Sequence, residues 1–219
     1  MDSPGARRPR AVRTALFAVI AVALVLLGGG LAVALGIGRT AAPTADSIDA
    51  GFSRDMGRHH LQAVEMANLA LDRSADPAVR GLAFDISATQ TNQTGRMQGW
   101  LSLWGLQPTG GDTMAWMGDS MGGHAGHSMD GNGHMPGMAT EEELANLRAL
   151  SGTAFDVEFL RLMMRHHQGG TEMAEYAAEH ADNQAVRDLA DSIVTSQAAE
   201  TTLMTDMLTE RGGTPLPAP

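Results

Sequence analysis

The chain of 219 residues has no cysteine and no lysine. Without cysteine there is no disulfide, no thiolate metal site and no lipoprotein-type anchor. Arginine therefore supplies all 15 basic residues, against 25 acidic ones, and the formal charge of −10 argues against a nucleic-acid surface or partner. Strand-like alternation is also lacking, which leaves helix as the regular structure on offer. What the sequence has in excess is methionine, 15 residues, together with 8 histidines.

Charge is missing altogether from Thr14 to Gly38, a run of 25 residues preceded by Arg7, Arg8, Arg10 and Arg13. At about 1.5 Å rise per residue such a run spans a bilayer core of about 30 Å. A cleavable signal peptide has a shorter apolar region. The expectation is a basic cytoplasmic N-terminus at 1–13, a membrane anchor at 14–38 and a linker at 39–46. The basic flank keeps the N-terminus in the cytoplasm, so the rest is placed outside the cell membrane as a single-pass protein. Gly28, Gly29 and Gly30 loosen the span and leave open secretion after signal cleavage.

The soluble part repeats itself. The segment from Phe52 matches the segment from Phe159 at a constant offset of 107, with 20 of the 50 pairs between Phe52 and Leu101 identical and no gap. At the centre of each copy stand adjacent histidines, His59-His60 and His166-His167. At about 100° per residue, Phe52, Met56, His59, His60, Ala63, Met66, Ala67 and Ala70 fall in one stripe roughly 120° wide, with Glu65 opposite. Each histidine pair thus lies on an apolar face, flanked by Met56 and Met66 or by Met163 and Met173. Histidines on such a face are either core residues satisfied by neighbouring groups or ligands of a shared ion. Burying four imidazoles without a common partner is costly, because each needs a donor and an acceptor satisfied.

Turn and cap residues divide the repeats into hairpins. Asp46 or Ser47 caps a helix running to about Arg73. Asp76-Pro77 opens a second that continues to Trp104, stopped by Gly105. Thr140-Glu-Glu-Glu143 is a capping box for a short helix to about Leu150. Thr153 with Asp156 starts a third long helix ending near His180, and the last runs from about Asn183 to Glu210. Gly169-Gly170 inside the third implies a close backbone approach or local softness. Four long helices, paired by short loops and joined by one long connection, give an all-α, ferritin-like four-helix bundle over 47–211 built from two duplicated hairpins, followed by a Pro-rich tail at 212–219.

The second helix of each hairpin carries a polar stripe, Gln90, Gln93 and Met97 in one copy and Gln197, Glu200 and Met204 in the other. Its side chains are either edge residues or oxygens facing the histidines. The long connection holds a Gly-, Met- and His-rich insert at 109–139. Its Met114, Met117, Met121, His124, His127, Met129, His134, Met135 and Met138 are unlike a generic spacer and suggest metal capture. Thioether with imidazole is a soft-to-borderline ligand set suited to copper, Cu(I) first, with Cu(II) held through histidine; Zn²⁺ and Ni²⁺ gain little from methionine.

The motif Phe-x3-Met-x2-His-His-x5-Met-Ala, present twice and each time followed by Gln-x2-(Gln/Glu)-x3-Met, resembles the DUF305 family over about Ile48 to Arg211. The resemblance implies a ferritin-like helical bundle at the cell envelope, copper binding and copper tolerance in its best-known members. Carried over by position, its motif residues are Met56, His59, His60 and Met66, then Met163, His166, His167 and Met173. The chain departs at Gly169-Gly170, where the family continues Gly-Ala, and at Gln93, where glutamate is usual. Two classes follow: an extracytoplasmic metal-binding protein that sequesters or relays copper, with a metal-delivery protein as partner, or a ferritin-like oxidoreductase with a dinuclear centre. The latter draws on Glu-x-x-His pairs, and the chain has none. A scaffold module without metal is a further alternative.

Overall fold

The computed structural model describes residues 8–36, 41–121 and 134–219. Among these there is no strand. The helices are α1 (Arg8–Ala34), α2 (Ile48–Arg73), α3 (Pro77–Leu103), a 3₁₀ segment at Ala115–Met121, α4 (Glu141–Ala149), α5 (Gly152–His180) and α6 (Gln184–Glu210). The chain divides into two compact units, Met1–Ala42 and Pro43–Pro219.

In the first unit, α1 begins inside the arginine cluster and runs unbroken through Gly28–Gly30. Over Arg10–Ala34 it is long and apolar enough to cross a bilayer. It ends at Ala34, before the expected Gly38, where Gly36 adopts a left-handed φ of 66°.

The second unit is a ferritin-like four-helix bundle of two hairpins, α2–α3 and α5–α6. Local chemistry sets most of its helix ends. The Ser47 hydroxyl accepts from Ala50 N–H, Asp76 from Ala78 N–H and Asn183 from Ala185 N–H. Thr140 and Glu143 bond reciprocally as a capping box. Both hairpins finish in the same Schellman turn: after α3 the Leu106 N–H reaches Leu101 O, and after α6 the Gly213 N–H reaches Leu208 O. The left-handed residues are Gly105 and Gly212, 107 positions apart, and only glycine takes that conformation without a Cβ penalty. Helix α5 departs from expectation by starting at Gly152; Ser151 sits at its N-cap without a side-chain bond, so Thr153 is not the cap.

Helices α2 and α5 run antiparallel. Asp49, at the start of α2, accepts from Asp182 N–H and Asn183 N–H just beyond the end of α5. Likewise Arg211, beyond the end of α6, pairs with Asp76 ahead of α3. The segment joining α3 to α5 must therefore travel the length of the bundle. Trp116 packs on Gly51 near the start of α2, and Pro136-Gly137 lies against the Arg165–Gly169 backbone at mid-height. Gln62 exchanges two hydrogen bonds with the Ala139 backbone, at 2.9 and 2.7 Å. Arg165 then grips Glu143 of α4 through both nitrogens, at 2.8 and 2.6 Å, and Arg148 pairs with Glu65.

The apolar core forms two clusters. One holds Met66, Ala67 and Ile86 with Phe155, Phe159, Met163 and Met204; the other holds Phe52, Met56 and Met97 with Met173, Ala177 and Ile193. Along every long helix the gap between the clusters falls where the histidines or glutamines stand. The core is thus cut at mid-height by a polar layer.

Close approach of the connection depends on absent side chains. A Cβ on Gly169 would overlap the Pro136 carbonyl group, whereas one on Gly99 would meet nothing within 4 Å. Gly169→Ala should therefore lose about 1–3 kcal/mol of stability, while Gly99→Ala should be neutral or gain up to ~1 kcal/mol from helix propensity. Urea denaturation of the full-length protein in detergent, followed by circular dichroism, measures both.

Candidate metal centre

Helix geometry decides what each histidine can face. Adjacent residues are separated by about 100° around the axis. One member of each pair can point at the facing helix of the other hairpin while the other turns toward its own hairpin partner. The structure follows this division. His59 of α2 and His166 of α5 meet in the middle, ring centroids 3.8 Å apart and planes at 35°. His60 instead reaches α3, where its Nε2 lies 2.8 Å from Gln93 Oε1. His167 reaches α6, donating from Nε2 to Glu200 Oε2 at 2.6 Å. All four histidines are fully buried.

The oxygens set the protonation of the rings. His59 Nε2 is 3.1 Å from the Pro136 carbonyl oxygen, which can only accept, so the proton sits on Nε2. A carboxylate imposes the same tautomer on His167. In His59, His60 and His167 the Nδ1 atom is left without a hydrogen-bond partner among the described residues, and in His166 both ring nitrogens are. Histidines that ligate metals characteristically donate their second ring N–H to a carbonyl or carboxylate in this way, leaving the other lone pair for the ion.

Burial also keeps the His59, His60 and His166 rings neutral. It pushes the His59 pKa down to about 4, against a partial offset from the Pro136 bond and with help from the charges of His167 and Arg58. His60 falls to about 3, again chiefly through burial and then through His59, with the Gln93 bond opposing. His166 is driven well below the ordinary histidine value by burial and by the other three rings. Near neutral pH these imidazoles therefore carry free lone pairs, the form in which histidine binds metal.

Further polar atoms share the layer. Both amide atoms of Gln90, the Gln197 Nε2 and the Thr94 hydroxyl are buried and lack partners among the described residues. With the histidine nitrogens that makes nine such atoms. At about 1–3 kcal/mol for each one left unsatisfied, their cost rivals the entire stability of about 5–15 kcal/mol typical of a domain. A layer of this composition makes physical sense around a ligand or enclosed water.

The donor set fits copper. Three thioethers border the layer from each side, Met56, Met97 and Met173 in one cluster and Met66, Met163 and Met204 in the other, all fully buried. Among the described residues no three His, Asp or Glu side chains group as a metal cage. Imidazole with thioether is a ligand set that suits a soft ion better than a hard one.

Several insert residues read as metal-capturing pack into the bundle. Met117 and Met135 are buried in the core, and Met114 and Met138 pack half-buried against the same cluster. Gly51, Gly137 and Gly169 admit the connection closely enough for this packing. His134 is half-buried and engaged with neighbours. Met121 ends the 3₁₀ segment. His124, His127 and Met129 lie outside the described residues.

Of two further elements of the site, the Pro136 contact was not anticipated from the sequence, whereas close approach at Gly169-Gly170 was among the readings of that pair. The Pro136 carbonyl closes over His59 from the connection, and Gly170 leaves room beside it: a Cβ there would stand 3.0 Å from His59 Cε1 and from Gln197 Oε1. The Gly169-Gly170 pair inside a long helix was the available signal. The arginine preceding each histidine pair has a shared task as well. Arg58 holds Thr113 of the connection at 2.9 Å, as Arg165 holds Glu143.

A ferritin-like bundle crossed at mid-height by a buried histidine and methionine layer is the class that fold and site define. Residues 49–208 match the family described as "Domain of unknown function (DUF305)", and the chain belongs to that family. Among solved structures it is similar to a DUF305 protein of Streptomyces coelicolor, 45% identical with a TM-score of 0.71, covering 80% of this chain and 99% of that one. It is also similar to a DUF305 fragment of Deinococcus radiodurans, 32% identical, TM-score 0.60, covering 74% and 96%. CopM in its Cu(I)-bound form is 25% identical, TM-score 0.56, covering 74% and 96%; CopM is also solved in Cu(II)-bound, Ag-bound and apo forms. Comparison with curated proteins gives no match.

The depressed histidine pKa values make stability depend on pH. Unfolded histidines titrate near 6.5, so between that value and about 4 the unfolded chain binds more protons than the folded one. Stability of the metal-free protein should therefore be complete above pH 7 and fall as pH drops, by on the order of 2 kcal/mol per histidine at pH 5. Urea midpoints at pH 7.5, 6 and 5 measure the slope, which should flatten in a His59→Gln, His60→Gln variant.

Proposed function

We propose that this protein binds copper outside the cytoplasm, sequestering or relaying it in support of copper tolerance. The single observation that carries the reading is the set of buried imidazole nitrogens with no partner among the described residues, set between methionine thioethers. Copper is the cargo. His59 and His166 would hold it from the facing helices α2 and α5, with His60 and His167 beside them and Met56, Met66, Met163 and Met173 as the sulfur donors; Gln90, Gln93, Met97, Gln197, Glu200 and Met204 would orient or supplement these ligands. Cu(I) suits the thioethers, and Cu(II) can be held through the imidazoles. The copper- and silver-bound forms of CopM support the choice of metal. A dinuclear oxidoreductase centre finds less support, since Glu200 is the one carboxylate hydrogen-bonded to the layer among the described residues.

The apolar α1 supports placement at the envelope, as a single-pass anchor or as a leader removed on secretion. A buried site inside a bundle also calls for a delivery partner, because the ion must enter past the connection that crosses the layer.

Changing His59, His60, His166 and His167 together to Ala should abolish tight Cu(I) retention while the helical circular dichroism signal persists. Anaerobic titration in competition with a chromophoric Cu(I) chelator reads the loss. Unchanged tight binding by this variant would move the site to the insert.

A further inference from the structure

The two halves of the layer are related by the repeat but are not chemically alike. His167 donates to a carboxylate, Glu200, whereas its counterpart His60 is paired with the neutral amide of Gln93. Position 93 plus the offset of 107 is position 200, so one substitution distinguishes two otherwise matching helices. A second difference lies in the central rings. His59 has its Nε2 committed to the Pro136 carbonyl, while His166 has neither nitrogen engaged among the described residues. A third lies in the backbone. Gln62 and Ala63 of α2 correspond to Gly169 and Gly170 of α5, which leave the second half thinner where the rings meet.

These differences act in one direction. A carboxylate accepting an imidazole N–H makes the remaining nitrogen a stronger donor, and its negative charge compensates the incoming cation; an amide does the first weakly and the second not at all. Glu200 is only 18% exposed, and no arginine pairs with it among the described residues, so its charge is directed at the layer. His166, whose ring nitrogens lack a partner at hydrogen-bond geometry among the described residues, is less committed than His59 when an ion arrives.

Resting on the copper-binding reading above, we propose that the halves are unequal: His166 and His167, with Glu200 as positioning residue, take the first and most tightly held ion. His59 and His60 complete the coordination or accept a weaker ion afterward. Glu200 and Gln93 together therefore set the order of loading and release.

The test uses the full-length protein in detergent and Cu(I) itself, titrated anaerobically against the chromophoric chelator bicinchoninate. Glu200→Gln is nearly isosteric and should weaken the tightest binding about 10–100-fold, with the apo melting curve and helical signal measured alongside. His167→Ala should cost more affinity than His60→Ala. The exchange of both residues, Gln93→Glu with Glu200→Gln, should restore the affinity and reverse that ranking, so that His60→Ala becomes the costlier change. A merely structural role for Glu200 would give no such reversal. Equal losses for His60→Ala and His167→Ala, an unaffected Glu200→Gln, or an unreversed ranking in the exchanged protein would each overturn the inference while leaving copper binding intact. Failure of the wild-type layer to take up Cu(I) would instead defeat the functional reading together with this one.

Discussion

The bundle is organised around four buried imidazoles, three of which burial holds neutral near neutral pH. Nothing apolar could replace them without joining the two methionine-bordered clusters into one continuous core, a packing with fewer unsatisfied atoms. Retaining a layer so costly to bury argues for a use that offsets the cost. The oxygens of Pro136 and Glu200 are central to that use, since each fixes a proton on Nε2 and so points a lone pair from Nδ1. Desolvation completes the arrangement by holding the rings unprotonated at pH values where an exposed histidine would begin to charge.

The scaffold serves this layer through the long connection. In a ferritin-like bundle whose two hairpins pack with α2 antiparallel to α5, the link between hairpins has to cross from one end to the other. Here it crosses against α2 and α5, fastened at Thr113 by Arg58, at Ala139 by Gln62 and at Glu143 by Arg165. The glycines at 137 and 169 allow backbone to meet backbone, which brings the Pro136 carbonyl to His59. Sequence that reads as an insert is, in the described stretches, part of the wall of the site.

How much of this could be read from the sequence follows from the range of each interaction. Helix limits and caps were legible because they depend on residues within one turn: Ser47, Asp76, Thr140 and Asn183 all cap as their types suggest, and Gly105 stops α3. The inward stripe was legible from periodicity, and so was the pairing of Gln93 and Glu200 with the layer. The unequal roles inside each histidine pair followed from the 100° step but need the handedness of the bundle to assign. The Pro136 contact was illegible, because a main-chain oxygen carries no residue-type signal and its partner lies 77 positions away. Burial of Met117 and Met135 was not legible either, since thioethers suit a metal and a core equally.

The central claim is that paired lone-pair nitrogens and flanking thioethers at mid-bundle hold one soft ion. X-ray absorption at the copper edge of the Cu(I)-loaded, full-length protein tests it most directly. The account predicts imidazole nitrogen and sulfur in the same coordination sphere, with the imidazole contribution removed in the His59→Ala, His60→Ala, His166→Ala, His167→Ala protein. A spectrum with sulfur alone, or one unchanged in that variant, would contradict it.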